Sequence, residues 1–275
     1  MISSPWLDHP AVQGGVAPLL AGLIVGLLLI RTRFAWIAVV VGYLVMLTLS
    51  GDLAFEPLTA SRKVVLAGLG AAGAGIAIDA IRPPYRWLPA ILSAAAALAA
   101  AWVFISVLRQ REGAAFVGAM SGVALFAGAL TAAVLRLRDD GIRAGAAGLG
   151  LGLAVGIAGI LSASIGYLLG GVAVAASSGA LLLIQVVARQ NLAPGYTGAL
   201  TIGVLTSYFA AATFLLASLP WFALPLFILV PLAASLRLPE TWSQFARAAV
   251  ASAYVLGAAV LPILAAWYAA RGLFT

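Results

Sequence analysis

The chain has 275 residues, 64% of them hydrophobic and only 8% charged. An ordinary soluble domain is about 25% charged, which would mean ~70 charges here in place of the 15 basic and 8 acidic residues present. That is too little polar material for a soluble surface. The composition excludes a soluble globular, disordered or collagen-like chain and leaves an all-α, polytopic transmembrane helix bundle.

A spanning helix needs about 20 mainly apolar residues. Ten candidate runs follow one another. The first, Ala11–Ile30, stops at Arg31 and Arg33, and the second, Phe34–Ser50, at Gly51-Asp52. Val64–Ile81 lies between Arg62-Lys63 and Arg82-Pro83-Pro84. Trp87–Leu108 stops at Arg109 and Arg111, and Ala114–Leu135 at Arg136, Arg138, Asp139 and Asp140. Ala144–Leu161 and Ser164–Val187 are separated only by Ser162-Ala163-Ser164. Tyr196–Ala217 follows Asn191 and Pro194-Gly195. Trp221–Ser235 and Arg247–Ala270 complete the set. The spans use most of the chain and leave short loops, so residues 1–275 read as a single integral membrane domain.

The ninth run contains Pro225 and Pro231, with Pro220 at its start. Proline breaks or kinks a helix unless neighbours satisfy the freed carbonyl. Residues 219–236 therefore either span or re-enter, giving about ten spans, or nine plus a re-entrant segment. The segment Pro239–Phe245 reads either as a helix along the membrane surface or as a polar turn.

Loop charge sets the expected orientation. With the N-terminus outside, ten basic residues fall in inner loops and five on the outer side, the bias expected of a cytoplasmic face. Both termini are then non-cytoplasmic, and the location expected is a bacterial inner (plasma) membrane. Trp6, Trp36, Trp87, Trp221, Trp242 and Trp267 lie near span ends, where amphipathic rings meet the headgroups.

The basic residues sit singly or in pairs, which argues for loop anchoring and against a nucleic-acid partner. With no cysteine present, thiolate metal sites and cysteine nucleophiles are excluded. The sole histidine, His9, excludes bis-histidine haem ligation and an intramembrane Ser–His pair. No cofactor is expected. Gly68 to Gly73 satisfies G-x-G-x-x-G but lies inside an apolar span, without the strand the dinucleotide motif requires.

Thirty glycines are expensive in helices unless they serve close packing. Gly148, Gly152 and Gly156 form the clearest small-residue face, suited to a neighbouring helix, a protein partner or a second copy. Gly22/Gly26, Gly118/Gly122 and Gly166/Gly170 repeat the spacing, and Gly68, Gly70, Gly73 and Gly75 crowd the third span.

Few residues carry chemistry. Asp79 is the one ionisable residue well inside a predicted span, and an intramembrane carboxylate is a candidate proton or cation carrier. An ion pair with Arg82, three residues on, is the competing reading. Asp139 and Asp140 are candidate Mg²⁺ ligands, against the reading of a solvated loop. Thr206, Ser207 and Tyr208 cluster in the eighth span and mark a candidate substrate path. Three functions follow. The first is a permease or exporter of a small neutral or lipophilic solute, and the second a non-catalytic subunit of a membrane complex. The remotest is an enzyme acting on lipid-linked phosphates through Asp139-Asp140.

Overall fold

The computed structural model describes residues 6–7, 9–53, 56, 58–81, 85–217, 219–239 and 241–272. Asp8 and Arg82 lie outside the described residues, and the expected Asp79–Arg82 pair with them. Every regular element among the described residues is helical: α1 Ala17–Leu28, α2 Ile37–Ser50, α3 Ala60–Ile81, α4 Leu88–Leu108, α5 Gly113–Leu135, α6 Gly141–Leu161, α7 Ile165–Ala188, α8 Gly195–Leu216, α9 Leu224–Ala234 and α10 Gln244–Gly272. A π-helical turn, Val12–Val16, precedes α1, and a 3-10 turn, Trp221–Ala223, precedes α9. The chain is a multi-pass helical membrane protein.

The expectation of about ten spans is met in part. Seven helices, α3 to α8 and α10, are long and apolar enough to cross a membrane, while Val12–Leu28, Ile37–Ser50 and Trp221–Ala234 are shorter apolar helices. The causes are local. Gly51, at φ +76°, ends α2 in the left-handed region that glycine enters freely. Its 14 residues then rise only about 21 Å, against a hydrocarbon core of about 30 Å. Proline bounds α9: Pro220 precedes it, Pro225 sits in its first turn where a missing N–H costs nothing, and Pro231 lies inside it. Among the described residues, 235–239 and 241–243 form no helix, so of the Pro239–Phe245 segment only Gln244 and Phe245 are helical, as the start of α10.

At the other boundaries, side-chain caps decide. α6 begins at Gly141, three residues before the expected start, because the Asp140 carboxylate accepts from the Arg143 N–H (3.2 Å). The Ser162-Ala163-Ser164 link is a tight reversal. Ala163 sits at φ +61°, and the Ser164 N–H donates to the Gly159 carbonyl (2.9 Å).

α8 is the most enclosed of the spanning helices, ringed by α2, α3, α5, α6 and α7. α6 and α7 make the closest crossing. A Cβ at Gly152 would stand 2.5 Å from both the Ala175 nitrogen and the Gly171 oxygen, and one at Gly171 would stand 2.5 Å from the Gly156 nitrogen. Such backbone approach is what small residues permit in lipid. Gly148, Gly152 and Gly156 all face α7: Gly152 and Gly156 meet its backbone, and Gly148 meets the Ser178 side chain. Gly70, Gly73, Gly118, Gly122 and Gly166, by contrast, have no atom within 4 Å of an added Cβ.

Buried polar groups pin one end of the bundle. Gln185, fully buried, donates to the Gly141 and Leu181 carbonyls (3.2 Å each) and accepts from the Leu192 N–H (3.2 Å). The Asn191 side chain accepts from the Gly141 N–H (2.9 Å). The Trp36 indole N–H donates to the Leu192 carbonyl (2.7 Å), and its ring is wholly buried. Trp36 is thus a core residue and not part of the interfacial belt, whereas Trp6, Trp87, Trp221, Trp242 and Trp267 are exposed as expected.

Candidate functional site

Two polar vestibules lie at opposite ends of the seam where α3 meets α8. The first, about 270 Å³, opens where α2 turns into α3 and where α7 begins. Tyr43 of α2, Tyr167 of α7 and Phe209 of α8 form its aromatic part. Phe209 stands centrally, 6.0 Å from the Tyr43 ring and 6.3 Å from the Tyr167 ring. Asp52, Ser61 and Arg62 line its mouth with polar atoms and one charge of each sign. The Tyr43 ring is 1% exposed, and its hydroxyl has no hydrogen-bond partner among the described residues. A buried hydroxyl left unpaired costs about 1–3 kcal/mol, so it is a group that a polar ligand or water would satisfy.

The second vestibule, about 340 Å³, lies at the far end of the same seam, lined by Arg33, Asp79, Arg138, Asp139 and Tyr196 among others. Asp79, in the last turn of α3, caps α8. Its Oδ1 accepts from the Tyr196 N–H (3.0 Å), and its Oδ2 from the Thr197 N–H (2.8 Å) and the Thr197 hydroxyl (2.7 Å). The first amides of a helix have no partner within it and carry the positive end of its dipole. A carboxylate delivered from another helix answers both. The charge of Asp79 is thereby tied to the fold. The Arg138 guanidinium lies 5.5 Å over the Tyr196 ring, and the Arg138 carbonyl accepts from the Gly195 N–H (3.0 Å).

Between the vestibules the seam is shut. A Cβ at Gly75 would meet the Tyr196 oxygen and the Thr197 Cα at 2.7 Å, and Gly68 faces the side chain of Leu205, which is fully buried.

The structure divides the other predicted residues. Thr206 donates to the Ile202 carbonyl (2.7 Å), Ser207 to the Val204 carbonyl (3.1 Å) and Tyr208 to the Ala96 carbonyl (2.6 Å). All three are buried and satisfied; none lines either vestibule, and Tyr208 lines a separate cavity of about 400 Å³ between α3, α4 and α8. It is the next residue, Phe209, that lines a vestibule. Asp139 and Asp140 also part. Asp139 is exposed and pairs with Arg138 (3.7 Å), whereas Asp140 caps α6 and pairs with Arg143 (3.3 Å) and Arg247 (3.5 Å). With Asp140 committed to two guanidinium groups, the two carboxylates do not converge. No cluster of three His, Asp or Glu side chains suited to a metal forms among the described residues.

Tyr43, Asp52 and Tyr167 carry no signal in the sequence, since Tyr43 is a lone tyrosine inside an apolar run and Asp52 and Tyr167 are single polar residues near span ends. No known family model matches the chain, and comparison with curated proteins finds no significant relative.

Proposed function

We propose that the chain is a permease for a small solute of no net charge, moved along the α3–α8 seam. The observation that carries this reading is the pair of polar vestibules at opposite ends of one glycine-faced, closed seam. Small residues let two helices slide or part with little side-chain rearrangement, so the seam is the natural gate. The opposite charges of Asp52 and Arg62 and the aromatic floor suit a neutral or zwitterionic solute with an apolar part.

The same reading takes the chain through the bilayer ten times. α9 starts beside Arg111 and Phe214 at one end, and by Arg247 the chain has reached Asp140 at the other. The segment thus passes through instead of re-entering, and the short α1, α2 and α9 cross where neighbouring helices shelter their ends. Arg33, Arg138, Arg143 and Arg247 gather at the Asp140 end, which we assign to the cytoplasmic face of a bacterial inner membrane.

The test is uptake by proteoliposomes of radiolabelled glycerol, glycine and betaine, with Ser61→Trp, which fills the first vestibule, as control. Uptake that Ser61→Trp abolishes supports the permease. No uptake of any of the three, together with a second protein in fixed ratio after mild-detergent purification, overturns it in favour of a non-catalytic subunit.

A further inference from the structure

A third cavity belongs to neither vestibule. A laterally open groove of about 710 Å³ runs along α5, walled by α8 and α9. Its floor is the face of α5 that carries Gly118 and Gly122, where an added Cβ would meet nothing within 4 Å. The walls are apolar, with Phe214 on one side and Leu224, Pro225 and Ile228 on the other. Its lining follows α5 from Arg111 to Ala129. The helical part of that run covers about 24 Å. That exceeds half of the ~30 Å hydrocarbon core, the depth an acyl chain of one leaflet reaches.

One charged side chain lines the groove, and it sits at the end. Arg111 lies in the turn between α4 and α5, its guanidinium 5.7 Å over the Phe214 ring. No carboxylate among the described residues lies within ion-pairing distance of it. Trp221, 71% exposed, stands at the same end, the pairing of basic and aromatic groups that marks headgroup depth. The groove is therefore apolar where tails lie and cationic where phosphates lie.

We propose that this groove binds one anionic phospholipid of the surrounding bilayer, its acyl chain lying over Gly118 and Gly122 and its phosphate held by Arg111. A second copy of the chain fits less well. A two-fold contact sets the same patch against itself, and two concave grooves face to face enclose a void. The proposal is independent of the permease reading.

The experiment uses the full chain in phosphatidylcholine nanodiscs, with spin-labelled phosphatidylglycerol or phosphatidylcholine as probe and the motionally restricted fraction as readout. The wild type should retain phosphatidylglycerol about fivefold over phosphatidylcholine, the factor one arginine near anionic headgroups supplies. Arg111→Gln should equalise the two lipids while leaving a restricted tail. Gly122→Leu should remove the restricted component for both lipids. The melting temperature should hold, because its Cβ enters open space. Gly118→Leu, equally unobstructed, repeats the test one turn away. Equal retention of the two lipids by the wild type, or a preference that survives Arg111→Gln, overturns the proposal. So does a restricted fraction unchanged in both leucine variants. A two-copy assembly that Gly122→Leu dissociates gives the groove to a second chain and overturns it as well.

Discussion

Gly152→Ala is a one-methyl change at the closest helix crossing of the bundle, and its cost follows from the geometry. The added Cβ would stand 2.5 Å from the Ala175 nitrogen and the Gly171 oxygen, where ordinary contact begins at 3.4 Å. Both obstructing atoms are backbone, so no side chain can swing aside. α6 and α7 must separate by about 0.9 Å, a gap of the size that forfeits a quarter to a half of the dispersion energy of each contact across it. Overpacking of this kind costs ~1–3 kcal/mol, against which alanine returns up to about 1 kcal/mol of helix propensity. The net expectation is a loss of about 1–2 kcal/mol. In a chain of this size that lowers the melting temperature by about 2–6 °C, read by thermal unfolding in a mild detergent. Gly70→Ala is the control: the same methyl is added, but no atom lies within 4 Å of it, so stability should hold or rise. Gly152→Ala melting with or above Gly70→Ala would refute the reasoning.

Other substitutions probe the polar joints. Asp79→Ala strips the α8 amides of their cap and should cost about 1–3 kcal/mol. Asp79→Asn, which still offers one acceptor oxygen, should fall between, with amide exchange at Tyr196 and Thr197 rising in the same order. Trp36→Phe keeps an aromatic ring but removes the five-membered ring of the indole and with it the donor to the buried Leu192 carbonyl. It should destabilise by about 1–3 kcal/mol, and wild-type melting would show that water replaces the indole. Ala163→Gly relieves a left-handed alanine at φ +61° and should stabilise by up to ~1 kcal/mol. A loss of stability there would mean that the methyl packs usefully.

The sequence makes the class plain because class depends on totals. With so few charges, nearly every one must sit at an end, and the structure puts them there. Spacing was legible as well. Gly148, Gly152 and Gly156, four apart, are a packing face, though their partner, α7, follows from chain reversal at Ala163 and not from the glycines. Pairings across the sequence are where legibility stops. Asp79 stands out as an in-span carboxylate, but its partners are amides more than a hundred residues on. Trp36 has the position of a belt residue and is buried only because Leu192 meets it from another loop. Thr206, Ser207 and Tyr208 look like a polar path because serine and threonine are polar by type. Their hydroxyls instead return to backbone carbonyls of their own helix, and that of Tyr208 to a carbonyl of α4. The vestibule residue Phe209, being apolar, gives no such signal. The charges from Arg136 to Arg143 read as loop by density, while the cap that starts α6 lies among them at Asp140.

The central claim is that the seam between α3 and α8 opens to each vestibule in turn. The chain has no cysteine, so single cysteines can report on it directly. Ser61→Cys and Ala193→Cys lie in opposite vestibules and should each react with a membrane-impermeant maleimide from one side of sealed vesicles only. Leu205→Cys, fully buried against Gly68 between them, is the decisive position. The account predicts that it reacts slowly from both sides. Leu205→Cys inert from both sides, while the two vestibule cysteines react, would contradict it.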